Sequence, residues 1–221
     1  VSLELGGKSP FIVFDDADIE SAVNGSIAGI FGASGQSCVA GSRLYLHESI
    51  ADEFLDKMLN LASKIKLGDP LQEETQMGPL ATLGQMNLIE NEISNAKAQG
   101  AKILHGGKRP SNANGGWFYE PTIVDCHDQK LKIVDTELFG PVLSVIRFKS
   151  EEEVIKLAND TKYGLAAGVF TKNGARSLRV TKALRAGIVW VNTYRVVSPI
   201  APFGGYKDSG YGRESGMQAI H

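Results

Sequence analysis

Two side chains carry the chemistry this chain could do. Cys38 lies in Phe31-Gly32-Ala33-Ser34-Gly35-Gln36-Ser37-Cys38-Val39-Ala40-Gly41-Ser42-Arg43, and Glu4 in Leu3-Glu4-Leu5-Gly6-Gly7-Lys8-Ser9-Pro10. Cysteine is the strongest side-chain nucleophile near neutral pH, and a carboxylate in an apolar pocket has its pKa raised and acts as a general base. Gly35 and Gly41 flank Cys38 with backbone freedom, so the main chain can approach a ligand and aim the sulfur or its own N–H groups at it. The opposing reading is that Cys38 is a small buried hydrophobe, as most free cysteines are.

Other motifs fail on spacing. Gly7-Lys8-Ser9 ends like a phosphate-binding loop, but the position that needs a glycine is Ser2. Gly210, Gly212 and Gly216 miss the dinucleotide fingerprint by one residue, and no strand leads into them. The four histidines, His47, His105, His127 and His221, fall in no metal-ligand spacing. Cys38 and Cys126 are too few for a disulfide framework and suit a reducing, cytoplasmic setting, while Asn24-Gly25-Ser26 and Asn159-Asp160-Thr161 match the glycosylation pattern by coincidence.

The elements that must position Cys38 and Glu4 come from 221 residues, 43% hydrophobic and 22% charged, with net charge −2, enough for one sizeable domain or two small ones. No basic patch with interleaved aromatics speaks for nucleic acid, and no apolar run approaches a membrane span. Val1 to Leu5 alternates like a strand already under way, so the chain is expected to be a piece of something longer.

Phe11-Ile12-Val13-Phe14 reads as a buried strand, followed by a helix capped within Asp15, Asp16 and Asp18 with Ile19, Ala22, Val23, Ile27 and Ile30 on one face. A strand at Leu44-Tyr45-Leu46 precedes a helix from Ser49 carrying Ile50, Phe54, Leu55, Met58, Leu61 and Ile65, stopped by Gly68-Asp69-Pro70. A third helix spans about 83–99 and closes at Gly100; a surface loop covers 106–116. Strands follow at Trp117-Phe118-Tyr119, Thr122-Ile123-Val124, 142–148, 165–170 and 188–191, with a helix opened by Ser150 running to Asn159. Helices alternating with apolar strands predict an α/β layer structure without internal repeats.

Five segments resemble the catalytic domain of the aldehyde dehydrogenase superfamily. They are Glu4-Leu5-Gly6-Gly7-Lys8, Gly35-Gln36-Ser37-Cys38, Glu137-Leu138-Phe139-Gly140-Pro141-Val142, Tyr163-Gly164-Leu165, and Pro202-Phe203-Gly204-Gly205-Tyr206-Lys207 followed by Ser209-Gly210. They occur in family order over essentially the whole chain. The resemblance implies a three-layer αβα catalytic domain over residues 1–221, with the cofactor-binding Rossmann domain outside this chain and low activity for the chain alone.

By that resemblance Cys38 attacks an aldehyde, hydride goes to NAD or NADP, and water activated by Glu4 hydrolyses the thioester to a carboxylic acid. Leu5, Gly6, Glu137, Phe139, Leu165 and Phe203 would contact the nicotinamide end of the cofactor or wall the reacting centre. Asn192 would order the nearby loop, and Arg195 and Val197 would shape substrate entry, where Arg195 could pair with an anionic aldehyde or simply be an exposed arginine. The backbone N–H of Cys38 could stabilise the developing oxyanion. Ala33 departs from the asparagine frequent in the family. The partner implied is a small-molecule aldehyde, and the intact protein would be a homo-oligomer. A nucleotide-independent cysteine esterase and a non-catalytic interaction fragment remain as rivals; Glu4 disfavours a coenzyme A-acylating variant.

Overall fold

Phe11-Ile12-Val13 has no polar residue to turn toward water, the mark of a strand covered on both faces. The computed structural model, which describes residues 1–111 and 115–219, buries it completely. Residues 112–114 of the expected 106–116 loop, and His221, lie outside the described residues. The first half of the chain forms β1 (Leu3–Glu4), β2 (Pro10–Val13), α1 (Ile19–Phe31), β3 (Arg43–His47), α2 (Ala51–Ala62), α3 (Leu83–Ala98) and β4 (Lys102–His105). The second half forms β5 (Thr122–Asp125), α4 (Lys132–Asp135), β6 (Val142–Phe148), α5 (Glu151–Asn159), β7 (Tyr163–Gly164) and β8 (Ala166–Phe170), then α6 (Gly174–Ala183), β9 (Ile188–Val191), β10 (Tyr206–Lys207) and β11 (Gly210–Tyr211).

Seven strands make one sheet in the order β4-β5-β6-β3-β2-β8-β9, parallel throughout except for the antiparallel edge pair β4–β5. Side-chain alternation divides the sheet's two faces between two cores. Ile12 and Phe14 join Met86 and Ile89 of α3, Val154 of α5 and Val180 of α6. Phe11 and Val13 join Val23 and Ile30 of α1 with Phe54 and Met58 of α2. Helices therefore cover both faces, as the layer reading expected. Asp18, Thr82 and Ser150 cap α1, α3 and α5 by accepting from the N–H three residues on.

Some elements differ from expectation. The helix expected from Ser49 to Ile65 begins at Ala51 after a single 3-10 turn and ends at Ala62. Bonds from Lys64 N to Leu61 O and Ile65 N to Ala62 O tighten its last turn and release the chain. Trp117-Phe118-Tyr119 is not a strand: its surroundings bond to separate loops, with Leu80 N donating to Trp117 O and Glu120 N to Lys108 O. β4, the four-residue α4, and α6 were not foreseen. α6 buries only Val180 and shows no apolar stripe, while β4 is a bulged edge strand.

Two small ladders lie outside the sheet: β1 pairs with β11, and β7 with β10, both antiparallel. Because β2, β3, β6 and β8 run parallel, the residues just before them gather at one end of the sheet. Glu4, Cys38, Glu137 and Leu165 occupy those segments. Among the described residues no helix is long and apolar enough to cross a membrane, and no cluster of His, Cys, Asp and Glu could hold a metal ion.

Candidate active site

α1 ends at Gly32, and the chain reverses through Ala33 (φ 54°), Ser34 (φ 57°) and Gly35 (φ 72°) before reaching Cys38. Two consecutive non-glycine residues in the left-handed region cost about 1–2 kcal/mol each, so the surroundings must impose them. Ser34 Oγ donates to Gly78 O at 2.8 Å, and Gln36 Oε1 accepts from Ala81 N at 2.8 Å. At Gly35 a Cβ would overlap the Gly140 carbonyl, so only glycine fits. Gly41 N then bonds to Gly29 O and returns the chain to the sheet.

The result is a half-buried Cys38, packed with Phe203 and Tyr194 against Val39, Leu165, Ala166 and Trp190. Tyr194 fixes the loop from below, its hydroxyl donating to Val39 O at 2.9 Å. Burial pushes the Cys38 thiol pKa up and the Glu4 carboxylate adds to the rise, while hydrogen bonding from the backbone of Val39 and Cys38 opposes it. Cys126, by contrast, is buried and held up at about 11, first by desolvation. Of the two thiols, only Cys38 is open to a reactant.

Glu4 is exposed at the rim. Its strand pairs Glu4 with Gly210, and Leu5 N donates to Ser209 O at 3.0 Å. Partial burial raises the Glu4 pKa, the Glu214 carboxylate raises it further, and Arg213 pulls the other way. The Glu4 carboxylate is thus within electrostatic range of both the Cys38 thiol and the Glu214 carboxylate.

Glu137 comes from 130 positions later to meet the same segment. Gly7 N donates to Glu137 Oε1 at 2.9 Å, and a Cβ on Gly6 would run into the Glu137 carboxylate. A Cβ on Gly7 would stand 2.6 Å from Cys38 O, so Gly6 and Gly7 let Glu137 and the Cys38 loop close on the Glu4 segment. Phe139 takes φ 47° and is 41% exposed, with Gln85 Nε2 donating to the neighbouring Leu138 O. Leu165 is 2% exposed and lies against the Cys38 cluster.

The remaining candidates are spread more widely. Asn192 (φ 53°) stands at the far, carboxyl end of β9, where its side chain accepts from Thr171 N and donates to Thr171 O, both at 3.0 Å. It turns the chain so that Tyr194 can run back beneath Cys38. The Arg195 guanidinium is turned to the carbonyls of Ala28 (3.4 Å) and Gly32 (3.5 Å) at the end of α1, which has no basic residue in its own last turn. Val197 is 63% exposed, next to Val196, whose carbonyl accepts from Trp190 Nε1 at 2.7 Å.

The model of the aldehyde dehydrogenase family matches residues 1–221. The chain belongs to the aldehyde dehydrogenase family. It is 56% identical over 220 residues to a (Z)-2-((N-methylformamido)methylene)-5-hydroxybutyrolactone dehydrogenase of Acinetobacter baylyi, covering 99% of this chain and 45% of that protein. It is 50% identical over 220 residues to a chloroplastic betaine aldehyde dehydrogenase of Atriplex hortensis, covering 100% of this chain and 44% of that one. A betaine aldehyde dehydrogenase of Staphylococcus aureus, solved in complex with NAD+, superposes with a TM-score of 0.97 at 45% identity, over 99% of this chain and 44% of its own. The chain therefore spans less than half the length of these aldehyde dehydrogenases.

Three contributors escaped the sequence reading of this family member. Glu214 is held by the bridge in which Phe203 and Glu214 exchange backbone bonds of 2.7 Å, and its carboxylate helps to raise the Glu4 pKa. Tyr194 was passed over as one aromatic among several. Arg43, fully buried, donates through Nε to Lys8 O at 2.7 Å and so joins the Glu4 segment to the strand that follows Cys38. None has a local signal, because each acts on a segment at least 35 residues away in sequence.

Proposed function

We propose that this chain is the catalytic domain of an aldehyde dehydrogenase and that it oxidises an aldehyde to a carboxylic acid through a thioester on Cys38. One observation carries the reading: the half-exposed Cys38 thiol stands at the same end of the sheet as the Glu4 segment, which closes so tightly on it that a Cβ on Gly7 would stand 2.6 Å from Cys38 O. The Cys38 thiol gives up its proton to solvent and its sulfur adds to the aldehyde carbon, forming the S–C bond and placing negative charge on oxygen. The backbone N–H groups beside the sulfur are donors for that charge, worth about 3 kcal/mol for a well-placed one.

NAD, found in the Staphylococcus aureus relative, supplies when bound the hydride acceptor that turns this adduct into a thioester. The residues present suit its nicotinamide end. Glu137 spends one carboxylate oxygen on Gly7 and has a second to accept ribose hydroxyls, Phe139 offers an exposed ring beside it, and Leu165, almost wholly buried, backs the wall behind Cys38. Leu5, Gly6 and Phe203 complete that wall, and Val197 belongs to the substrate approach. Glu4 then takes a proton from water, the water oxygen attacks the thioester, the S–C bond breaks and the leaving thiolate takes back the proton that Glu4 holds.

The test is made on the complete polypeptide that carries this chain, with NAD and a simple aldehyde. Cys38→Ala is expected to abolish both turnover and ester cleavage, while Glu4→Gln still takes up the acyl group and holds it, visible as a mass increase on Cys38. Full turnover by Cys38→Ala, or no acyl-enzyme in Glu4→Gln, would overturn the proposal.

A further inference from the structure

Glu4 rides on a strand of two residues, all of Val1 to Leu5 is exposed, and nothing on that side of the molecule holds the carboxylate by its own side chain among the described residues. Its position is set by what pairs with it. Gly210 is its ladder partner, Ser209 O accepts from Leu5 N, and a Cβ on Gly210 would meet the Leu3 carbonyl. Wherever residues 209–211 stand, Glu4 stands.

That segment is moored in turn. Ser209 is fully buried, its Oγ accepting from Gly164 N at 3.0 Å, and Asp208 N donates to Lys162 O at 3.0 Å. Lys207 Nζ donates to Asn159 O and to Thr161 O, both at 2.9 Å. Lys207 itself takes φ 52°, a conformation lysine does not choose unaided. The carbonyls at the end of α5 carry the negative pole of the helix, which favours an ammonium there.

The same helix end receives Arg43, whose Nη2 donates to Ala158 O at 2.8 Å while its Nε holds Lys8 O at 2.7 Å. The Glu4 segment is thus referred to one fixed point from both directions. On one side the path runs through residues 209–211 and Lys207, and on the other through Lys8 and Arg43. Arg43 is fully buried and its loss threatens the fold, whereas Lys207 is on the surface.

We infer that Lys207 is a positioning residue for Glu4, its ammonium clamping the carboxylate's hairpin to the carboxyl end of α5. The inference rests on the base role proposed above for Glu4. It predicts that Lys207 matters for release of the acyl group and not for its capture.

The complete polypeptide is mixed with p-nitrophenyl acetate, without nucleotide. The Cys38 thiol gives up its proton to solvent, its sulfur adds to the ester carbonyl and p-nitrophenolate leaves, giving a burst; water then adds with its proton passing to Glu4, the S–C bond breaks and the thiolate takes that proton back, giving the steady state. In Lys207→Met the burst rate is expected to stay within about twofold of the parent, while the steady state falls about tenfold or more, part of the roughly 10²–10⁴-fold that a general base supplies. Lys207→Arg keeps the charge and the donors and is expected to recover most of that loss. Equal losses in both phases, an unchanged steady state, or an arginine variant no better than methionine would overturn the inference. A Glu4→Gln variant with an undiminished steady state would overturn the base role itself, and the inference with it.

Discussion

Cys38 sits in a loop gripped from three directions, by Ser34 on Gly78, Gln36 on Ala81 and Tyr194 on Val39. Glu4 sits on an exposed two-residue strand held through its backbone. The difference follows from the work proposed for each. A nucleophile has to meet a carbon with its adjacent N–H donors already aimed at the developing charge, so displacement by an ångström is costly. A base that acts through water needs reach and solvent access, and a rim position provides both. Strain follows the same division: the left-handed residues Ala33 and Ser34 precede the nucleophile, whereas Glu4 stands in an ordinary strand.

The largest change that would break this contrast is at Gly35. Gly35→Ala adds a left-handed penalty and an overlap with the Gly140 carbonyl, together about 3–4 kcal/mol. Urea denaturation is expected to show a loss of that size, and labelling of Cys38 by a mild thiol reagent should lose its advantage over Cys126. Unchanged stability would mean that the nucleophile loop is not gripped as described.

Lys8 probes the mooring of the Glu4 segment. Its Nζ has no hydrogen-bond partner among the described residues, and burial first, then the Arg43 charge, lowers its pKa from 10.5 to about 8. Between pH 8 and 10.5 the unfolded chain holds a proton that folded Lys8 has released, so the Lys8 contribution to stability rises with pH across that window. At 1.36 kcal/mol per pH unit the rise is about 3 kcal/mol. Lys8→Met should abolish it, and the gap between parent and variant denaturation midpoints should narrow from pH 8 to pH 10.5. A constant gap would place the ammonium in contact with water.

Glu214 gives the smallest effect and tests the rim alone. Because its carboxylate adds to the burial that raises the Glu4 pKa, Glu214→Gln should lower that pKa. In the proposed reaction hydrolysis of the acyl group on Cys38 needs ionised Glu4, so its acid limb should move to lower pH. The rate of acyl capture should not change. An acid limb that stays in place would show that the two carboxylates do not share the rim.

Much of the frame was legible from local pattern. Phe11 to Phe14 could only be a strand covered on both faces, and the apolar face of α1 delivered the chain to Cys38 between two glycines. α6 was illegible because Gly174 to Ala183 buries a single side chain, Val180, and Trp117 to Tyr119 misled because β-type residues there find no ladder. Arg195 had an open reading, and its guanidinium turned out to lie on the end of α1.

The amino-acid sequence by itself determined the layered α/β plan, the resemblance to the aldehyde dehydrogenases and the candidacy of Cys38 and Glu4. These are matters of residue type, period and short spacing. Tertiary structure alone decided that Glu137 reaches Gly7, that Glu214 pairs with Phe203, and that Arg43 and Lys207 bear on one helix end. Parallel strands bring remote segments to a common end of the sheet, and which side chains then meet is set by register and packing across long separations that no local pattern encodes.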